Sequence, residues 1–119
     1  MKFKGILDYR DGSSDYISVV EFIFRENHSI AFELKSTWSD QGFWIFQGVA
    51  MYKSKNQYNL ERVRGKLALD KSIEDRNLAD IMFNINSIDN NHKEIDVSGS
   101  ITFGGDIYPF DGLLEEHNY

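Results

Sequence analysis

Gly42-Phe-Trp-Ile-Phe-Gln-Gly-Val-Ala-Met-Tyr-Lys53 carries at its centre a small pattern that recurs along the chain: bulky apolar, any residue, glycine, any residue, small or apolar. It returns as Phe3-Lys-Gly-Ile-Leu7, Phe46-Gln-Gly-Val-Ala50, Val63-Arg-Gly-Lys-Leu67, Val97-Ser-Gly-Ser-Ile101 and Phe110-Asp-Gly-Leu-Leu114. A spacing of two puts the flanking apolar residues and the glycine on one face of a strand. A glycine on that packed face removes a side chain where the sheet bends sharply or another backbone comes close. Gly5, Gly48, Gly65, Gly99 and Gly112 therefore read as the bending points of one curved, closed sheet.

Outward from this stretch the chain reads as strand after strand. Lys2 to Arg10 sets Phe3, Gly5, Leu7 and Tyr9 on one face, and Asp11-Gly-Ser-Ser14 supplies turn chemistry. Asp15 to Glu26 is a β-branched and aromatic run, read with Val20, Phe22 and Phe24 on one face and Ile17, Val19 and Ile23 on the other. After Asn27-His28, the segment Ser29 to Thr37 alternates cleanly, with Ile30, Phe32 and Leu34 facing one way. Beyond the opening stretch, Ser54-Lys-Asn-Gln57 is a polar turn, and Tyr58 to Asp70 carries Val63, Gly65, Leu67 and Leu69 opposite Arg62, Arg64 and Lys66. Ser72-Ile-Glu-Asp75 has the spacing of a capping box and predicts a short helical turn over Ser72 to Asp80, before a strand resumes at Ile81. Asp89-Asn-Asn-His92 is a turn, Glu94 to Phe103 a strand, and Gly104-Gly-Asp106 a tight connection to the last strand, Ile107 to Glu116.

This order predicts an all-β fold: a single domain over residues 1–119, an antiparallel meander of eight strands closing into an up-and-down barrel, with a helical turn near 72–80. The alternatives are a two-sheet sandwich or a strongly curved open sheet covered by that turn. In architecture, with a glycine-bearing first strand and a glycine-bearing last strand, the chain resembles the calycin group: the lipocalins, fatty-acid-binding proteins and avidins. The resemblance implies a small barrel that can hold a ligand inside. It carries over no ligand-contacting residue, because the lipocalin Gly-x-Trp is absent: Phe3-Lys-Gly5 is followed by Ile6 and Leu7.

Composition narrows the function. A chain of 119 residues can bury a real core without staples, and the absence of cysteine removes thiolate catalysis, thiolate zinc sites and redox switches. The N-terminal Met1-Lys-Phe-Lys-Gly-Ile-Leu-Asp8 has no apolar run of signal-peptide length, and no later segment is long enough to span a bilayer as a helix, so a cytoplasmic protein is expected. With 13 basic and 19 acidic residues the formal net charge is -6. That field disfavours nucleic acid and anionic membrane as partners and favours cationic ones.

Catalytic constellations are not visible. His28, His92 and His117 fall in two turns and the tail, and the serines of the turns lack a nucleophile-elbow context. Gly104-Gly105 is a hairpin signal with no helix after it to cradle phosphate. No cofactor and no metal is expected, and an enzyme ranks last among the readings.

Two binding roles remain. The stretch Gly42 to Lys53 is apolar on both faces: with Trp44, Phe46 and Ala50 inward, Phe43, Ile45, Val49 and Met51 point outward. Burying four such side chains contributes about 6–12 kcal/mol before association costs. The first expectation is thus a small acidic protein-interaction module, similar to inhibitors and immunity proteins in size and charge, docking a protein partner or a second copy through that face. The alternative is a carrier or sensor for a small apolar ligand inside the barrel, with Tyr9, Trp38, Trp44 and Tyr52 as wall residues whose rings pack while their polar atoms hydrogen-bond.

Overall fold

The computed structural model describes residues 2–12, 14–39, 42–69, 72–91, 93–103 and 105–117, with side chains at all of these except 38, 39, 42, 62, 64–69 and 72–78. Eight strands follow one another: β1 (Phe3–Tyr9), β2 (Tyr16–Arg25), β3 (Ser29–Ser39), β4 (Gly42–Ser54), β5 (Gln57–Leu69), β6 (Ser72–Asp89), β7 (Glu94–Phe103) and β8 (Asp106–Glu116). Each pairs antiparallel with the next, and β1 also pairs with β8, from Phe3 opposite Glu116 to Tyr9 opposite Phe110. The sheet is a closed up-and-down barrel, an architecture compatible with the calycins. Neither a sandwich nor an open sheet is formed.

Closure depends on backbones coming unusually near one another at the glycines. A Cβ on Gly112 would stand 2.5 Å from the Ile6 carbonyl oxygen, and one on Gly5 would stand 2.8 Å from that of Leu113, so the β1–β8 seam tolerates no side chain there. Gly99 on β7 is pressed in the same way against the Met82 carbonyl of β6. Gly48 differs, since its absent side chain makes room for the Leu60 side chain. Gly65 lies outside the described side chains. At the β4–β5 connection, Lys55 (φ 45°) and Asn56 (φ 65°) are both left-handed, the two-residue turn whose twist matches that of the strands it joins.

Two expectations are corrected. The first concerns Ser72 to Asp80, which is strand and not a helical turn. The capping-box spacing is a local signal, and one helical turn alone is marginal in water. Here the segment instead pairs with β5, Ser72 opposite Leu69 through Arg76 opposite Gly65, which satisfies backbone groups of β5 that a helix would have left open. The β6–β7 ladder begins only at Ala79 opposite Phe103, so the wall made by β4, β5 and β6 stands taller at that end.

The second correction concerns β2. Its register to β3 shifts between Val19, opposite Leu34, and Glu21, opposite Glu33. A bulge adds one residue and so reverses the alternation beyond it. Ile17 and Val19 are therefore buried with Phe22, and Val20 is the exposed one. Of the three β2 residues expected outside, only Ile23 stays on the outer side, paired with Ala31.

The interior is filled at mid-height by rings from four strands. Phe83 of β6 meets Phe22 of β2 and Phe32 of β3, each at 5.2 Å between centroids, and Phe110 of β8 at 6.0 Å. Leu7, Leu34, Ile81 and Ile101 are fully buried around them. Toward one end the lining continues as Phe24, Phe3 and Tyr58, and toward the other as Phe46, Trp44 and Phe103.

Candidate functional site

The outer face of β4 is set by pairing on both sides. On β3, Lys35 lies opposite Ile45, Glu33 opposite Gln47 and Ala31 opposite Val49; on β5, Lys66 lies opposite Ile45 and Asn59 opposite Met51. Because Trp44, Phe46 and Ala50 are buried inside the barrel, the intervening Phe43, Ile45, Val49 and Met51 line the outside, as expected. Phe43, Ile45 and Val49 are half-buried among their neighbours, and Met51 is 51% exposed. The row widens sideways: Ala31 lies between Val49 on β4 and Ile23 on β2 and is covered by them. The Lys35 ammonium lies 4.2 Å from the centre of the Phe43 ring, a cation–π contact at the edge of the stripe. The result is an apolar row on the outer wall, interrupted by Gln47 beside Glu33 and flanked by Lys35.

The expected ligand-wall residues divide between the two ends of the barrel. Tyr9 and Trp44 are buried at the same end. They meet through Ser36, which exchanges a 2.7 Å hydrogen bond with the Tyr9 hydroxyl and pairs with Trp44 across the β3–β4 ladder. Around them stand Tyr108, 6.4 Å from Tyr9, and Phe103, 5.0 Å from Trp44. Tyr52 is at the opposite end, 47% exposed, against Tyr58 and His28. The Trp38 side chain lies outside the described residues.

No protein-family model, curated protein or solved structure matches the chain. The site is therefore read from its own chemistry.

Among the described residues no group of three or more histidine, aspartate or glutamate side chains is arranged to hold a metal ion. His92 lies outside them, while His28 packs on Tyr52 and the His117 amide bonds the Lys2 carbonyl. No helix among them is long and apolar enough to cross a membrane. The basic alternation Arg62, Arg64, Lys66 falls on β5, and its side chains lie outside the described set.

One apolar feature was not legible beforehand. Ile6 and Leu113 are 53% and 57% exposed, and the pairs on either side, Gly5 with Leu114 and Asp8 with Asp111, set them opposite one another on the outer β1–β8 wall. The only signal in sequence was their position between the inward residues of two glycine-centred patterns.

Tyr9 supplies a titration test. Burial, the dominant cause, pushes its phenol far above the ordinary range, with Asp15 and Asp11 adding to the rise and the Ser36 hydrogen bond opposing it. A raised folded-state value favours the protonated phenol, so the contribution to stability is complete below the unfolded value of about 10 and is lost as pH climbs above it. In urea melts, Tyr9→Phe is expected to cost about 1 kcal/mol at neutral pH, and to flatten the loss of stability above about pH 10. An unchanged alkaline slope would show that Tyr9 is not the group responsible.

Proposed function

We propose that this protein is a small interaction module that docks another protein on the outer face of β4. The observation that carries this reading is the row Phe43, Ile45, Val49, Met51, continued sideways by Ile23, on the outside of a barrel whose mid-section is already packed by its own rings. A monomeric barrel needs its inner face apolar and gains nothing from a second apolar row outside, whereas an association surface needs one. The formal charge of -6 accords with a role in protein contact and against nucleic acid.

The carrier reading has one specific observation in its favour. The hydrogen-bonded Tyr9 and Ser36, among Trp44, Phe103 and Tyr108, give one end of the barrel a polar handle beside flat rings. The packed rings at mid-height would confine such a ligand to that end.

Native mass spectrometry of the protein purified from its own host separates the two. A dimer or a co-purified protein supports docking, and a small-molecule adduct on the monomer supports the carrier. Ile45→Asp and Val49→Asp are each expected to abolish association while leaving the circular dichroism and urea midpoint of the monomer close to wild type. If these variants unfold instead, the row is core and the docking reading fails.

A further inference from the structure

Closing a sheet into a barrel removes its free edges, yet one stretch of edge is left open here. The sheet of β4, β5 and β6 runs on past the rest of the ring, with Gly42 opposite Leu69 and Leu69 opposite Ser72. β7 stops short of it. Its last rung with β6 is Phe103 opposite Ala79, and Phe103 also faces Asp106 across the turn into β8, so the chain has already turned back. Residues 72–78 are therefore held by β5 on one side, and among the described residues no strand lies along the other. The open margin is seven residues long, about 23 Å of extended chain, with no proline in it. Its outward N–H and C=O groups are strong hydrogen-bonding groups with no ladder to join.

We infer that this margin pairs with the same margin of a second copy of the chain, antiparallel about a two-fold axis, so that the two sheets become one across a dimer. The contact is separate from docking on β4, because it uses the backbone of β6 and not an apolar face. What fits a strand margin is another strand, and around the ring every strand has a neighbour on each side. The second copy brings an open margin of the same length. Antiparallel strands are complementary to themselves: a half-turn sets each outward N–H against a C=O of the copy and each outward C=O against an N–H. Seven residues a side give about six to eight such bonds. The incoming strand takes the place beside β6 that β7 vacates. Since the same surface is used on both copies, the contact consumes both margins and stops at two chains.

Sedimentation velocity on the full chain over a range of concentrations, joined to single-cysteine crosslinking, tests this. The weight-average mass of the wild type is expected to rise with concentration and level off at a dimer. The chain has no cysteine of its own, so an introduced one reports its own contact. Full overlap of the two margins puts residue 75 on the axis, where it faces its copy with Cα atoms about 4.5–5.5 Å apart, within reach of a disulfide. Asp75→Cys is therefore expected to give a covalent dimer on mild oxidation. Linking at Glu74→Cys or Arg76→Cys in its place marks a shifted register of the same contact and supports it, whereas linking at none of the three overturns it. Successive N–H groups of a strand point to opposite sides, so one of Asp75→Pro and Arg76→Pro removes an outward donor and spares the ladder to β5. That variant is expected to keep a urea midpoint near wild type and to weaken the dimer by ~10-fold or more, because the two-fold repeats the loss. A wild type that is monomeric throughout overturns the inference. So does a dimer that Ile45→Asp abolishes and neither proline weakens, which belongs to the β4 face and leaves the docking reading standing. A dimer that links through residue 75 and is untouched by Ile45→Asp supports the inference, whatever becomes of docking on β4.

Discussion

Phe83→Ala is expected to cost about 3–5 kcal/mol of folding stability, read as a lower midpoint with an unchanged slope in urea unfolding. Phe83 is fully buried, and its ring is the meeting point of Phe22, Phe32 and Phe110, which reach it from three other strands. Truncation removes the transfer free energy of the ring and leaves a void among rings held on separate strands of a closed sheet. Closing that void requires the barrel wall to move, so little of the loss is recovered. The edge-to-face contacts with Phe22 and Phe32 add to the deficit. Phe83→Leu is expected to fall well short of the full loss. A cost below about 1 kcal/mol for the alanine variant would mean that mid-height packing is slack, and would shift the balance toward a ligand-holding interior.

Gly99→Ala is the second large expected effect, with a loss of about 1–3 kcal/mol. A methyl group at this position would overlap the Met82 carbonyl oxygen of β6 and stand 3.0 Å from its carbon and from the Phe110 ring. Neither neighbour is a flexible chain end, so the β6–β7 ladder must open locally to admit it. Gly112→Ala is expected to behave alike, since it meets the Ile6 carbonyl at the closing seam. Gly48→Ala serves as the comparison: its nearest neighbour is the end of the Leu60 side chain, which can turn away, so the cost is expected to be smaller. If Gly48→Ala proves as damaging as Gly99→Ala, the close approach of backbones is not what these glycines provide.

Much of the fold was legible because the strands announce themselves by alternation. Ile30, Phe32 and Leu34 on β3, Ile81, Phe83 and Ile85 on β6, and Trp44, Phe46 and Ala50 on β4 were placed inward from spacing alone, and all are buried. The glycine pattern pointed to curvature, and Gly5, Gly99 and Gly112 indeed sit where one backbone presses on another. Where the reading failed, a non-local effect had overridden a local rule. On β2 the bulge at Val20 exchanged the faces of everything before it, and nothing in Ser18-Val-Val-Glu21 marks that position. At Ser72–Asp80 the capping-box spacing was outweighed by the ladder to β5.

The candidate site was legible in part. The outward row on β4 follows from period two once Trp44 and Phe46 are known to face inward, and it is where the spacing put it. The proposed cavity wall was a weaker inference, because it grouped residues by side-chain type. Tyr9 and Trp44 do come together through Ser36, while Tyr52 stands at the other end of the same strand as Trp44. Eight residues along a strand at about 3.3 Å each separate those two by most of the barrel's height. The exposed Ile6–Leu113 pair could be found only after β8 was seen to close on β1, since the two residues are far apart in the chain.

By itself, the sequence determined that the chain is all-β, how many strands it has, nearly where each except β6 begins and ends, and which residues of most strands face the core. These properties belong to segments of ten residues or so, where hydrophobic alternation and turn chemistry act. The tertiary structure alone decided the register in which β8 closes on β1, that β2 carries a bulge, that Ser72 to Asp80 joins the wall, and which apolar and charged residues share a face across strands. Those outcomes depend on pairing between distant segments, where satisfying backbone hydrogen bonds and filling one enclosed volume outweigh the preference of any single stretch.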